Sequence, residues 1–252
     1  MLTLPERILF LLAVTASGYG AYLSARRIIL IIGRGQGNPD WTLARYRLGQ
    51  VFLKTISFQP VFRSRFWPSL FHGMVGWGFI YYLLVNLLDI TDALIDGFQI
   101  PGLLGDIYRL GADLLSGGVL LGMIILLVRR FVLNPATLTA RYEILLHPKA
   151  RRGIRRDSAV VGGFILLHIG ARLVGESFKL ASQGSDTWQP FASMLARLWA
   201  GLGPPILEIG EHVGFWLAVG SILAFVPYFL YSKHLHLIVA PLNFLLKPER
   251  RS

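Results

Sequence analysis

The sequence predicts an all-α integral membrane protein that crosses the bilayer five times as a helical bundle. Of its 252 residues, 54% are hydrophobic and only 15% are charged, whereas soluble domains carry about 25% charged residues. The apolar residues are clustered in five runs, each long enough for a helix to cross the ~30 Å hydrocarbon core at 1.5 Å per residue. These runs and their loops use the whole chain, so we expect a single membrane domain over residues 1–252.

The predicted spans cover residues 8–32, 70–92, 107–128, 158–180 and 206–232. The first run is too long for the hydrophobic segment of a signal peptide and has no small-residue cleavage site, so we expect it to remain as a span. The connection at residues 41–58 has the composition of an amphipathic helix that lies on the membrane surface. A further short interfacial helix is expected near residues 191–202.

Basic residues lie mostly on one side of the predicted bundle. The segments 26–69, 129–156 and 233–252 hold eight, eight and four Lys or Arg residues, which together make 20 of the 25 in the chain. The loop between the second and third spans is acidic instead. Because cytoplasmic loops of membrane proteins carry an excess of Lys and Arg, we expect the N-terminus outside and the C-terminus in the cytoplasm.

The net charge and the cysteine count exclude two classes of function. The charge of +11 comes from these loops, and no DNA-binding motif or stacking-aromatic pattern accompanies it, so no nucleic-acid partner is expected. The chain has no cysteine. It therefore has no disulfide and cannot itself hold a thiolate-bound iron–sulfur cluster or a structural zinc site built on thiolates.

Histidines are the main candidates for chemistry. Five of the six lie in the spans or at their ends, where a polar side chain is costly and is a functional candidate: His72, His168, His212, His234 and His236. The sixth, in a cytoplasmic loop, is expected to be solvated. A haem with two histidine ligands needs imidazoles from different helices that face each other at similar depth, as helical bundles can provide.

The depths of these histidines predict one haem near the cytoplasmic face. His72 opens the second span, and His234 and His236 close the fifth span on the same side. If both lie on one helix, residues two positions apart point about 200° away from each other, so only one of them can face the iron. Spacing alone leaves the choice between His234 and His236 open.

His168 and His212 are the candidates for a second haem in the outer half. His212 and His236 are 24 residues apart, or about 36 Å along a straight helix, which exceeds the hydrocarbon core. His212 is therefore expected near an interface and shallower than His168, unless tilt or a kink reduces the gap. The alternative is that His168 is a packing residue hydrogen-bonded to a neighbouring helix.

Two sequence stretches carry a resemblance to a known family. Leu70-Phe71-His72 opens the second span, and the run Tyr-Ser-Lys-His-Leu-His at residues 231–236, followed by Ala-Pro-Leu-Asn at 240–243, closes the fifth. These stretches resemble the membrane cytochrome b domain of the respiratory nitrate reductase gamma subunit. They resemble even more the related membrane domain joined to heterodisulfide-reductase-type iron–sulfur proteins. The resemblance covers nearly all of the chain.

The resemblance implies that His72 and His236 share the haem b nearer the cytoplasm. The family has a second pair of haem ligands, one on the second span and one on the fifth. At the first of these positions this chain has Tyr82, and near the second it has Ala218. The outer haem has therefore been either lost or re-ligated by His168 and His212. One haem b is expected and two are possible.

Arg172 and Glu176 are the best candidates for other cofactor contacts, because both fall within an apolar run. A carboxylate there could accept protons from a quinol, and an arginine could bind a haem propionate. The alternative is a simple ion pair between the two residues, which are one helical turn apart.

These observations predict a haem b subunit that transfers electrons between the quinone pool and a cytoplasmic iron–sulfur partner of a respiratory oxidoreductase complex. We expect it in the cytoplasmic membrane of a bacterium or archaeon, and the net reaction belongs to the complex. The alternative is a membrane anchor or quinone-site subunit with one haem or none. A small transporter is disfavoured, because the sequence has no inverted repeat and no sign of unwound helices.

Overall fold

A computed structural model of the chain describes residues 2–36, 39–63, 65–95, 98–138, 145 and 147–246. The regular secondary structure in this part of the chain is helical. In order, the α-helices are α1 (Leu4–Ile32), α2 (Trp41–Ser57), α3 (Gln59–Phe62), α4 (Phe66–Leu94), α5 (Gly102–Val128), α6 (Pro148–Gln183), α7 (Pro190–Ala196), α8 (Pro204–Phe229) and α9 (His236–Leu246). Helices α1, α4, α5, α6 and α8 are long and apolar enough to span a membrane, so the predicted five-span all-α fold is confirmed.

Each spanning helix extends beyond its predicted span at one end or both. The largest difference is in α6, which begins at Pro148 rather than at residue 158. Proline at the first helical position and the His147 ring nitrogen, which accepts a hydrogen bond from the Lys149 backbone N–H at 3.2 Å, start the helix there. The charged residues that follow end the apolar segment but do not interrupt the helix, because their side chains remain exposed or partly exposed.

The spatial order of the spanning helices differs from their order in the chain. Helix α4 packs on α5, α5 on α6, α6 on α8 and α8 on α1. The closest approach is between α6 and α8, where a Cβ added to Gly214 would collide with the backbone of Gly175. Small residues allow such close contact between membrane helices, which gain stability from van der Waals packing rather than from the exclusion of water.

Helix α1 is joined to α8 by two serine hydroxyls. Ser17 donates to the carbonyl oxygen of Leu223 at 2.7 Å, and Ser24 donates to that of Pro227 at 2.9 Å. Pro227 lies inside α8 and has no N–H of its own. Polar side chains in membrane helices typically find partners across helix interfaces in this way.

Four shorter α-helices of the described part of the chain lie outside the spans: α2, α3, α7 and α9. Helix α2 matches the helix predicted at 41–58. Asp40 caps its N-terminus by accepting from the Leu43 N–H at 3.0 Å. The helix ends at Ser57, and the next residue, Phe58, has a φ of 51°. Helix α2 packs on α9. The short helix predicted near 191–202 is α7 with the 3₁₀ turn that follows it, and Asp113 of α5 accepts from the first backbone N–H groups of α7 at 2.7 and 2.9 Å.

The fifth span ends earlier than predicted, and this changes the position of two histidines. Helix α8 stops at Phe229, a 3₁₀ turn covers Lys233–Leu235, and α9 begins at His236. His234 and His236 therefore both lie beyond α8, His234 in the 3₁₀ turn and His236 at the start of α9 that directly follows it. The separation of about 36 Å calculated for His212 and His236 on one straight helix does not apply, because α8 ends before His236.

The orientation of the bundle can be tested directly, because the chain has no native cysteine. Ala150 at the start of α6 and Ser185 after its end are both exposed. The distribution of basic residues predicts that Ser185→Cys reacts with a membrane-impermeant maleimide in intact cells, and that Ala150→Cys reacts only after permeabilisation. The reverse pattern would show that the predicted orientation is wrong.

Packing of α6 on α8 predicts a large effect of a single methyl group at position 214. Gly214→Ala should lower the free energy of unfolding by about 1–3 kcal/mol, because the added carbon has no room against the backbone of Gly175. Thermal unfolding of the detergent-solubilised protein measures this. Gly220→Ala on the same helix is the control, since a Cβ there meets nothing within 4 Å, and equal melting temperatures for both variants would contradict the packing.

Candidate functional site

Three histidines meet at the end of the bundle where the basic segments lie. His72 comes from the first turns of α4, His234 from the 3₁₀ turn after α8, and His236 from the start of α9. All three line one cavity of about 320 Å³, here called the histidine cavity. The structure therefore brings together the histidines that the sequence predicted for the inner haem.

The His72 and His236 rings face each other at a separation suited to one metal ion. Their centroids are 6.1 Å apart and their planes are inclined by 29°. Two imidazole nitrogens at about 2 Å from an iron, each roughly 1 Å from its ring centre, give a centroid separation of about 6 Å when both lie on the line between the ring centres. The His236 Nδ1 contacts the carbonyl oxygen of Lys233, which leaves Nε2 for a metal, as in many metal-bound histidines.

His234 has a different environment from His236. Its side chain is buried, and its ring packs against those of Phe79, Phe225 and Phe229 at centroid distances of 5.8, 5.1 and 5.6 Å. Burial, together with the nearby charge of His236, lowers the pKa of His234 to about 4, so it is neutral at pH 7. Since His236 rather than His234 stacks with His72, the geometry favours His236 as the partner of His72.

Cationic side chains also line the histidine cavity. They are Arg129, Arg130 and Lys233, and the remaining walls are largely apolar. The Arg130 Nε is buried and has no hydrogen-bond partner in the described part of the chain. A haem carries two propionate carboxylates, which pair well with arginine. The donors of this cavity, two facing imidazoles and several cations beside apolar walls, fit a haem.

Asp157 of α6 holds the turn that carries His234 and leads into His236. Its carboxylate accepts from the Tyr228 hydroxyl at 2.8 Å and from the Lys233 backbone N–H at 3.1 Å. The sequence analysis missed this residue. A signal was present, because Asp157 is the one acidic residue in the basic run from 148 to 158.

The second predicted pair, His168 and His212, does not form one site. His168 is buried on α6, and its Nδ1 lies 2.8 Å from the carbonyl oxygen of Ala218. The His212 Nδ1 lies 2.9 Å from a carboxylate oxygen of Glu6 on α1, and the two histidines line different cavities. The His168 side chain thus bonds to α8, whereas that of His212 bonds to α1.

His168 instead occupies the space between the two positions where the resemblance places outer-haem ligands. Its ring makes an edge contact with Tyr82 at a centroid distance of 5.7 Å, and it bonds to the backbone of Ala218. The Tyr82 hydroxyl lies 2.6 Å from the Ser116 hydroxyl. His168 also lines a cavity of about 230 Å³ with mostly apolar walls, here called the apolar cavity.

Arg172 and Glu176 lie at the opposite end of the bundle from the histidine cavity, and each has a partner other than the one considered from sequence. Arg172 binds both carboxylate oxygens of Asp89 on α4, at 2.6 and 3.0 Å. Glu176 accepts from the Gln189 side chain at 3.0 Å. In place of the alternative Arg172–Glu176 pair, the structure has a pair between helices, which sequence spacing alone does not indicate.

Two adjoining cavities of about 100 and 360 Å³ open beside these residues and are here called the charged cavities. The charged side chains that line both are Asp89, Asp92, Arg172, Glu176 and Lys179. Carboxylates and a lysine in this position can exchange protons with water from the adjacent membrane surface.

Comparison of the chain with protein-family models, with characterised proteins and with solved structures found no match. The assignment of a function therefore depends on the chemistry of the three groups of cavities.

The Arg172–Asp89 pair predicts strong coupling between two single variants. Arg172→Gln should destabilise the protein by about 3 kcal/mol, because it leaves a partly buried carboxylate without its cation. Adding Asp89→Asn should restore most of that loss in thermal unfolding. Arg197→Gln, at an exposed position, serves as the control, and additive effects of the two single variants would exclude the coupling.

Proposed function

We propose that this chain is a haem b-containing membrane subunit that transfers electrons between the quinone pool and a cytoplasmic iron–sulfur partner of a respiratory oxidoreductase complex. The observation that carries the proposal is the facing pair of His72 and His236, with ring centroids 6.1 Å apart in a cavity lined by cations. The resemblance of the sequence around both histidines to membrane cytochrome b domains supports it. The membrane is the cytoplasmic membrane of a bacterium or archaeon.

In this proposal each group of residues at the histidine cavity has a distinct task. A bound haem b supplies one-electron transfer. His72 and His236 hold its iron, and Arg129, Arg130 and Lys233 neutralise its carboxylates. Asp157 acts indirectly as a positioning residue, because it fixes the backbone of the turn between α8 and α9.

The geometry supports one haem rather than two. His168 and His212 line different cavities. The apolar cavity has His168 as its one histidine and no Lys or Arg among its lining residues. A second haem there would lack both an opposite imidazole and a partner for its carboxylates.

A quinone is the proposed reaction partner in the half of the bundle that holds Arg172 and Glu176. Quinol oxidation releases two protons and two electrons, and Glu176 and Asp92 in the charged cavities are the proposed proton acceptors. Arg172 is bound by Asp89, so its proposed role is to keep the cavity open and charged rather than to bind a haem carboxylate.

The iron–sulfur clusters of the complex must come from a partner, because this chain has no cysteine. The histidine cavity opens at the end of the bundle with the basic segments, and the positive-inside rule puts that end in the cytoplasm. A soluble partner that docks there comes within reach of the proposed haem. In this proposal, the protons from quinol oxidation are released at the opposite face of the membrane.

Haem content tests the proposal. The purified protein should show a b-type reduced-minus-oxidised spectrum with about one haem per chain, since one cavity offers two facing imidazoles. His72→Ala and His236→Ala should each abolish the band. His168→Ala should retain it.

His147→Ala is the control, because His147 is exposed at the start of α6. A purified protein without haem would refute the electron-transfer role, and a ratio near two would refute the one-haem form. Loss of haem in His234→Ala with retention in His236→Ala would show that the ligand assignment is wrong.

A further inference from the structure

The apolar cavity lies in the middle of the bundle between the histidine cavity and the charged cavities. It shares Val75, Phe79 and Ile165 with the histidine cavity. Helices α4, α6 and α8 supply most of its walls, and four of the lining residues are phenylalanines: Phe79, Phe164, Phe225 and Phe229. Flat aromatic walls around a small number of polar groups are typical of a site for a ring-shaped organic ligand.

His168 lines this cavity, and one of its ring nitrogens is a buried hydrogen-bond acceptor. Its side chain is only 4% exposed, and its Nδ1 lies 2.8 Å from the Ala218 carbonyl oxygen. Because a carbonyl can only accept, Nδ1 carries the hydrogen, and Nε2 of the neutral ring has a free lone pair. That Nε2 is buried and has no partner among the described residues, which costs about 1–3 kcal/mol unless a donor satisfies it.

The lining offers no cation to an anionic ligand, because no Lys or Arg is among the residues that line the cavity. Its polar side chains are His168, Asn86 and Tyr82, and the Tyr82 hydroxyl already pairs with Ser116 at 2.6 Å. The ligand that fits is neutral, flat and apolar, and it has at least one hydroxyl or N–H group to donate to His168.

Access to the cavity is from the lipid. Leu83 lines the cavity and is 61% exposed on α4, and an apolar exposed side chain in a membrane span faces hydrocarbon. Beside Leu83, the cavity is walled by α4 and α8, whose Phe79 and Phe229 rings meet there with centroids 6.5 Å apart, so the inferred route runs between these two helices. A ligand that dissolves in the bilayer reaches His168 by this route.

We infer that the apolar cavity seats the ring of a membrane quinol, with one quinol hydroxyl donating to the Nε2 of His168. The inference rests on the proposed quinone-linked function and assigns the position of the ring: the ring lies in the apolar cavity, and Glu176 and Asp92 of the charged cavities keep their proposed role as proton acceptors. It also predicts preference for one redox form. A quinol has hydroxyl donors, whereas a quinone has carbonyl acceptors that would face the lone pair of His168.

Equilibrium dialysis tests this with the full-length protein in lipid nanodiscs under anaerobic conditions, with menadiol and menadione as probes. The parent protein should bind menadiol more tightly than menadione. His168→Leu should weaken menadiol binding about tenfold, the effect of one lost buried hydrogen bond. It should also abolish the preference for menadiol over menadione, which general damage to the fold would not do selectively. His147→Leu, at an exposed position, should leave both affinities unchanged.

A second pair of variants tests the route without changing His168. Leu83→Trp should weaken menadiol binding by blocking the opening. Leu84→Trp, at a neighbouring position that is 45% exposed and does not line the cavity, should not.

Equal menadiol affinity of the parent protein and His168→Leu would overturn the inference. Weaker binding in His212→Leu and Arg172→Gln instead would place the ring in the charged cavities, and loss of haem in His168→Leu would place a haem in the apolar cavity. Haem content is measured separately from menadiol binding. A parent protein that has no haem but binds menadiol through His168 would therefore refute the proposed function and leave the proposed quinol site intact.

Discussion

Helices α6 and α8 approach each other at Gly175 and Gly214 so closely that neither position has room for a side chain. This contact brings the polar groups of α6 within reach of α8 and the turn that follows it. Helix α6 carries Asp157 and His168, whereas α8 provides the Ala218 carbonyl and leads into the turn with His234. If the two helices were further apart, the hydrogen bonds from α6 to the backbone of α8 and its following turn would be lost.

The bilayer explains why these polar groups have the partners they have. Water is absent from the hydrocarbon core, so each polar side chain must be satisfied within the protein. Arg172 is paired with Asp89, whereas His168 has a partner for Nδ1 only, the carbonyl oxygen of Ala218. The unsatisfied Nε2 of His168 is therefore conspicuous, and it is the basis of the proposed quinol site.

The three groups of cavities differ in charge along the bundle, and the difference follows from their positions. The histidine cavity lies beside basic segments, so the Lys and Arg residues from which the orientation is predicted are also available to the carboxylates of the proposed haem. The apolar cavity is central, where uncharged walls are least costly. The charged cavities lie at the acidic end, where carboxylates can reach the membrane surface. A proposed path for electrons and a proposed exit for protons thus lead in opposite directions.

The sequence by itself determined the features that depend on local composition. Five apolar runs specify five spans, the amphipathic pattern specifies α2, and the positions of His72 and His236 at span ends on one side predict that they meet. Only the tertiary structure decided which helices are neighbours and how each is rotated. The Arg172–Asp89 pair, the role of Asp157 and the separation of His168 from His212 depend on contacts between residues far apart in the chain. The break after Phe229 takes both His234 and His236 off α8, and the backbone that follows it is held by Asp157, a residue on another helix.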